Sequence, residues 1–225
     1  MIIGVVGKAG VGKDTIARAI APRHLVWQDG EWRDVGGVEG PRLGLRDDAV
    51  QLASADPLKV FCQEVYNFSD DQLWGPSQQR NAPDMRYPRH DGSYLTPREA
   101  LQTLGTEWGR ARYDKTWIHL MLRRAQSLTD GPHIVAVGQR FRVARHSLVV
   151  VSDVRFQNEV ELIRSTGGVL WQVVREGVGL EGEAGKHQSE TEQDGFEADV
   201  VLHNDSTISA LTHRVEELLR GLRRF

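Results

Sequence analysis

The sequence predicts an α/β protein in three layers: a mainly parallel sheet of about five strands, helices on both faces, and inserted loops or hairpins. Three observations predict it. Short apolar runs end in glycine-rich or charged turns, stretches with helical spacing follow them, and the alternation recurs along the 225 residues. Runs that are apolar at every position suit strands covered on both faces.

Composition narrows the class further. The chain exceeds the usual domain length of about 150 residues, so it is one large domain or one domain with insertions. Apolar residues make up 40% and charged residues 26%, a globular balance rather than a disordered one. A net charge of −3 argues against non-specific nucleic-acid binding but leaves room for a local basic pocket. The single cysteine, Cys62, excludes an internal disulfide and points to a reducing cytoplasm. No apolar run reaches the ~18–20 residues that span a bilayer. Met1 to Val6 lacks the basic flank and cleavage site of a signal peptide.

Ile2 to Val6 reads as a buried strand and Asp14 to Ile20 as a helix, with a glycine loop between them. Residues 28–48 are rich in glycine and charge, an inserted loop or irregular hairpin. Val50 to Ser54 is a strand leading to Asp56-Pro57, a helix start; Leu58, Phe61, Val65 and Phe68 follow at helical spacing. Residues 75–95 hold three prolines, two glycines and a basic cluster, a long segment with little regular structure. Thr96 and Glu99 have capping-box spacing before Leu101, Leu104 and Trp108. A helix from about Asp114 turns Ile118, Met121, Leu122 and Ala125 inward. Ile134 to Ala144 suggests a hairpin inside an insertion at 131–147. Leu148 to Ser152 is the strongest strand signal, then a helix through Val160 and Ile163, a strand Val169–Val174, a polar loop 177–195, a strand Asp199–His203 and a final helix. His133, His146, His203 and His213 lack metal-ligand spacing and read as surface or packing residues.

The chemistry begins at Gly7-Lys8-Ala9-Gly10-Val11-Gly12-Lys13-Asp14-Thr15, between the first strand and first helix. Glycines let backbone amides converge on phosphate oxygens, the helix N-terminus adds partial positive charge, and Lys13 supplies a mobile ammonium. The usual pattern places serine or threonine directly after the lysine. Here Asp14 intervenes before Thr15, an ending familiar in nucleoside monophosphate kinases. Many proteins share the loop, so the loop alone names no reaction.

Collinear with that loop are Ala55-Asp56-Pro57-Leu58-Lys59, Arg98 with Leu104-Gly105-Thr106, Trp117, Val151 to Arg155 with Glu159, Gly168 to Arg175, His187, Glu190, Asp199 to Val201 and Asn204. In this series the chain resembles the bacteriophage deoxynucleoside monophosphate kinases, skipping only 28–48 and 131–147. The resemblance implies a single P-loop kinase domain over 1–225, with an acceptor-binding helical segment at about 56–128 and a lid at about 176–196. It implies transfer of the ATP γ-phosphoryl group to a dNMP, with Mg2+, in a bacterial host cytoplasm. Lys8, Ala9, Gly10, Gly12, Lys13, Asp14, Thr15 and Arg175 would hold ATP, with Thr15 and Asp14 on the metal. Leu58, Lys59, Arg80, Arg98, Gly105, Thr106, Trp117, Asp153, Arg155 and Glu159 would hold the acceptor. Lys13, Arg98, Asp153 and Arg155 would be catalytic.

Residue chemistry alone leaves alternatives open. Joining two polyanions calls for arginines that grip phosphate bidentately, and Arg155 follows a strand end where ligands collect in open sheets. Arg98 and Lys59 sit in first helical turns, where an anion would offset the unfavourable dipole. Asp153 could instead cap the next helix, Trp117 could be core, and the 177–195 loop could be solvated rather than a lid. A dephospho-coenzyme A kinase and a nucleotide-binding module without transfer remain the alternatives. The expected partners are small nucleotides, with no nucleic acid and no membrane. The oligomeric state stays open, a homodimer included.

Overall fold

β1 (Ile2–Val6) is buried at every position and stands at the centre of a five-stranded sheet. The computed structural model describes residues 1–35, 48–137, 140–178 and 192–222. After β1 come α1 (Lys13–Ile20), β2 (Leu25–Gln28), β3 (Glu31–Asp34) and β4 (Ala49–Leu52). A helical stretch follows: α2 (Asp56–Tyr66), α3 (Asp70–Leu73), α4 (Ser77–Asn81), α5 (Pro97–Gln102), a π-helical turn (Thr103–Arg110) and α6 (Thr116–Thr129). The chain returns through β5 (His133–Val137), β6 (Arg140–Ala144), β7 (Leu148–Val151), α7 (Gln157–Ser165) and β8 (Val169–Val174). A 3-10 turn (Glu192–Gly195), β9 (Val200–His203) and α8 (Ile208–Leu222) complete it.

The chain forms two compact units, Met1–Ala53 with Met121–Phe225, and Ser54–Leu120. The first contains the sheet, in the order β4-β7-β1-β8-β9 with every pairing parallel. The α/β expectation therefore holds. Strand alternation decides which helix covers which face. Ile3 and Val5 of β1 pack with Ile16, Ala17 and Ile20 of α1 and Leu211, Val215 and Leu219 of α8. On the opposite face α7 lies so close that a Cβ on Gly4 would be 2.8 Å from Ile163 Cδ1. In a parallel sheet all carboxyl ends share one edge, so the segments after β1, β7, β8 and β9 emerge together.

A second sheet, β2-β3-β5-β6, takes β3, β5 and β6 from the two inserted regions and β2 from the residues that lead into the first. β2 and β3 form a hairpin, as do β5 and β6, and β3 pairs parallel with β5 between them. The hairpin expected at Ile134 to Ala144 is thus present. Residues 36–47 and 138–139 of the two insertions lie outside the described residues.

In the helical unit, residues 75–95 hold little regular structure, as the sequence suggests: one short helix, α4, and a hydrogen-bonded turn centred on Asp84, the rest being turns and bends. Asp84 is buried, and the Arg86 guanidinium bonds both its oxygens, at 2.9 and 2.6 Å, while Gln72 donates to it at 3.0 Å. That hydrogen bonding to Arg86 holds the Asp84 carboxyl well below the usual range. In α2, Leu58 and Cys62 are buried, whereas Phe61 and Val65 are about half exposed, as is Trp108. The core of this unit forms instead from Cys62, Phe68, Leu73 and Ala100, with Tyr66, Trp74 and Tyr87 packed against it. Burial pushes the Cys62 thiol up to about 11, which leaves it inert as a nucleophile. No helix among the described residues is long and apolar enough to cross a membrane.

Candidate functional site

The loop after β1 turns through three glycines in the left-handed region, Gly7 (φ 147°), Gly10 (φ 81°) and Gly12 (φ 102°). At Gly7 the backbone leaves no space for a side chain either, and at Gly12 a side chain would have to displace the Asn204 amide. A Cβ would lie 2.5 Å from the Val173 carbonyl oxygen at the first and 2.5 Å from Asn204 Nδ2 at the second. Gly12 is the N-cap of α1, so the loop ends on helix amides that have no acceptor within the helix itself. The Lys13 ammonium folds back and donates to the Gly7 carbonyl and, at 2.8 Å, to the Lys8 carbonyl. Amide dipoles and an ammonium brought to one point are the chemistry that can hold an anion. Asp14 is exposed in the first turn of α1 and Thr15 is half-buried beside it.

Beside the loop is a cleft of about 180 Å³ whose lining includes Gly7, Lys8, Val11, Arg175, Val178 and Gln193. Arg175 follows β8 and is exposed. Two amide side chains meet the loop from outside. Gln193, 3% exposed, accepts from the Gly7 amide at 3.1 Å, and Asn204 donates to the Val11 carbonyl at 2.8 Å. Asn204 belongs to the series that carries the family resemblance but has no site role there, and Gln193 is not part of that series. Asn204 carries the signal of a polar residue directly after a strand, whereas Gln193 carries none.

Beyond β7, the buried Gln51 donates to Ser152 Oγ at 2.9 Å, joining the ends of β4 and β7 just before Asp153. Asp153 and Arg155 are both half-buried. The N-cap of α7 falls on Phe156, not on Asp153. Glu159 is 4% exposed, and its carboxylate accepts from the amides of Arg155 (2.8 Å) and Phe156 (3.2 Å). Glu159 therefore shapes the turn that carries Arg155.

Within the helical unit, several residues anticipated around the acceptor come together by packing. Leu58 lies against Gly105, where a Cβ would be 3.1 Å from Leu58 Cδ1, and Thr106 is next in the π-helical turn. Trp117 donates from Nε1 to the Gly105 carbonyl at 2.8 Å and lays its indole on Gly109. Lys59 pairs with the buried Asp56 at 3.4 Å, 5.7 Å from the Trp74 ring centre, and Trp74 Nε1 also donates to Asp56 at 3.2 Å. Arg80 donates to the carbonyls of Leu73 (3.1 Å) and Gly75 (2.9 Å), fastening the turn between α3 and α4. Arg98 donates to the Asn81 side chain, so both arginines meet at α4. His187, Glu190 and most of the anticipated lid at 176–196 lie outside the described residues.

The Gly109 contact carries a prediction. A Cβ there would approach the Trp117 ring to 2.5–2.7 Å and displace an indole that is also hydrogen-bonded. Gly109→Ala is expected to destabilise the protein by about 2 kcal/mol, combining overpacking with a lost hydrogen bond. Thermal unfolding should then fall by about 5 °C; an unchanged midpoint would contradict this packing.

No family model matches the chain. A chain from Acanthamoeba polyphaga mimivirus, provisionally named deoxynucleotide monophosphate kinase, is 31% identical over 217 residues. That similarity covers 92% of this chain and 90% of the viral one, and the relative is from a giant virus rather than a bacteriophage. With a phosphate loop at the carboxyl edge of a parallel sheet and a relative matched along nearly its whole length, this chain belongs to the deoxynucleotide monophosphate kinase family.

Proposed function

We propose that the protein transfers the γ-phosphoryl group of ATP to a deoxynucleoside 5′-monophosphate, yielding ADP and the diphosphate, in nucleotide supply for DNA replication. The observation that carries this reading is the glycine loop of Gly7 to Thr15 in a chain that matches a kinase-named relative along most of its length. Transfer between two polyanions needs charge neutralised and the acceptor oxygen held in line with phosphorus. On this reading Lys8, Ala9, Gly10, Gly12, Lys13, Asp14 and Thr15 grip the triphosphate, and Arg175 borders the nucleotide beside them. Asp153 and Arg155 position reacting groups at the end of β7, with Glu159 bracing that turn.

The helical unit receives the acceptor through Lys59, Arg98 and Arg80, with Leu58, Gly105, Thr106 and Trp117 shaping its pocket. The acceptor phosphate is already ionised at neutral pH, so Asp153 positions and does not abstract a proton. The hydroxyl of Thr15 and the carboxylate of Asp14, one turn of helix presenting hard oxygen donors, fit Mg2+, which keeps several waters. When bound, such an ion would supply positive charge to offset that of the triphosphate.

ADP release measured with each of the four dNMPs, the ribonucleotide counterparts and dephospho-coenzyme A tests the proposal. Turnover with a dNMP supports it. Turnover only with dephospho-coenzyme A, or ATP binding without turnover, overturns it. Within this reading, Arg98→Ala is expected to raise the KM for the dNMP at least tenfold, the loss of a charge-assisted phosphate contact, and to change the KM for ATP less than twofold. An unchanged acceptor KM removes Arg98 from the acceptor site.

A further inference from the structure

We propose that Gln193 and Asn204 are positioning residues for ATP, two amide side chains that clamp opposite ends of the phosphate loop. The inference rests on the kinase reading above and extends it to residues outside the loop's own sequence.

A loop with three residues at positive φ is entropically expensive to hold in one shape. Its convergence on phosphate must nonetheless exist before ATP arrives, or the ordering penalty weakens binding. Two outside contacts supply that order. Gln193 Oε1 accepts from the Gly7 amide, at the loop's opening. Asn204 Nδ2 donates to the Val11 carbonyl, one residue before the Gly12 N-cap of α1. An amide N–H requires an acceptor and a carbonyl requires a donor, so these partners also settle which way each side-chain amide points.

Both clamps are themselves anchored. The Asn204 backbone donates to the Val174 carbonyl at 2.8 Å, fixing it at the ends of β8 and β9. The turn bearing Gln193 is held by the buried Phe196 and by Arg164 donating to the Glu197 carbonyl. Its neighbour Glu192 accepts from the Gln157 amide at 2.7 Å, at the first residue of α7. One short turn thus ties the phosphate loop to the helix that follows Asp153 and Arg155.

The test uses the full chain, with ATP affinity measured by equilibrium dialysis and steady-state kinetics on any dNMP the parent protein phosphorylates. Gln193→Met keeps the volume but loses the acceptor, and Asn204→Leu loses the donor. Each is expected to raise both Kd and KM for ATP about tenfold while the acceptor KM stays within twofold. The double variant is expected to lose less than the product of the two, because both act on one loop. A folded variant with unchanged ATP affinity, or with both KM values raised alike, overturns the proposal. Hydrogen exchange on the unaltered protein gives a reading that no folding defect can disturb: the Gly7 amide should be protected without ATP, and rapid exchange there overturns the clamp. Absent turnover with every dNMP would defeat the kinase reading alone, since the dialysis and exchange results still judge the clamp.

Discussion

Lys13→Ala is expected to lower ATP turnover about a thousandfold while leaving the thermal midpoint nearly unchanged. The ammonium sits at the first residue of α1 and already reaches the inside of the loop, bonding the Gly7 and Lys8 carbonyls. The Lys8 carbonyl is exposed and the bond to the carbonyl of buried Gly7 is only partly covered, so water can take the ammonium's place and the loss costs at most about 1 kcal/mol of folding free energy. Catalysis is different. Charge on the transferring phosphoryl oxygens must be met by groups already in place, and removing one such donor typically costs 10²- to 10³-fold in rate. Lys13 is placed at the point where loop amides and helix dipole converge, so the upper end of that range applies. Steady-state ADP release alongside calorimetric unfolding separates the two effects. Turnover within tenfold of the parent protein would mean that this lysine does not act on the transferred group. Lys13→Arg offers the complementary check, because a planar fork on a longer stem keeps the charge but not the point-like geometry.

Much of this arrangement is legible in the sequence because it rests on local pattern. Leu148 to Val151 is apolar on both faces and could be little else than a buried strand. The glycine loop announces itself because positive φ leaves few other residue choices. What stays hidden depends on partners far along the chain. Gln193 lies 186 residues from Gly7, and nothing in its neighbours marks the contact. Asp84 reads as a loop carboxylate until Arg86, Gln72 and the Asn67 carbonyl, which Arg86 also contacts, close around it. Apolar spacing misleads at Phe61 and Val65, since a helix can expose a stripe that periodicity assigns to the core. The π-helical turn escapes for another reason. One extra residue per turn barely alters the apolar pattern, yet it places Gly105 and Gly109 where Leu58 and Trp117 can approach them.

The histidine pair shows the same limit and yields the second large effect, a steep loss of stability in mild acid. His133 and His146 are thirteen residues apart, and the β5-β6 register brings them together. Their rings stack with centroids 4.9 Å apart, and His146 Nδ1 lies 3.1 Å from His133 Nε2. His133 Nδ1 faces the Gly131 carbonyl at 3.4 Å, which leaves its Nε2 as acceptor and His146 Nδ1–H as donor. A proton added to His133 Nε2 would set donor against donor. Burial is the main reason the His146 pKa falls to about 4, reinforced by His133, Arg142 and Arg23 and opposed by Asp48. Burial also lowers His133.

Above about pH 6.5 both folded and unfolded His146 are neutral, so this residue adds no pH dependence there. Between about 6.5 and 4 the unfolded chain takes up a proton that the folded protein refuses, so stability falls as pH falls. The accumulated loss is about 3 kcal/mol, equivalent to about 10 °C in the unfolding midpoint. Asp84 adds its own loss only below its unfolded value of 3.8, so a scan from pH 7 to 4.5 isolates the histidines. His146→Phe keeps a ring in the site but cannot take the proton. It should lower the midpoint slightly at pH 7, by orphaning the His133 acceptor, and flatten the decline toward pH 4.5. Equal slopes for the variant and the parent protein would show that acid attacks the fold elsewhere.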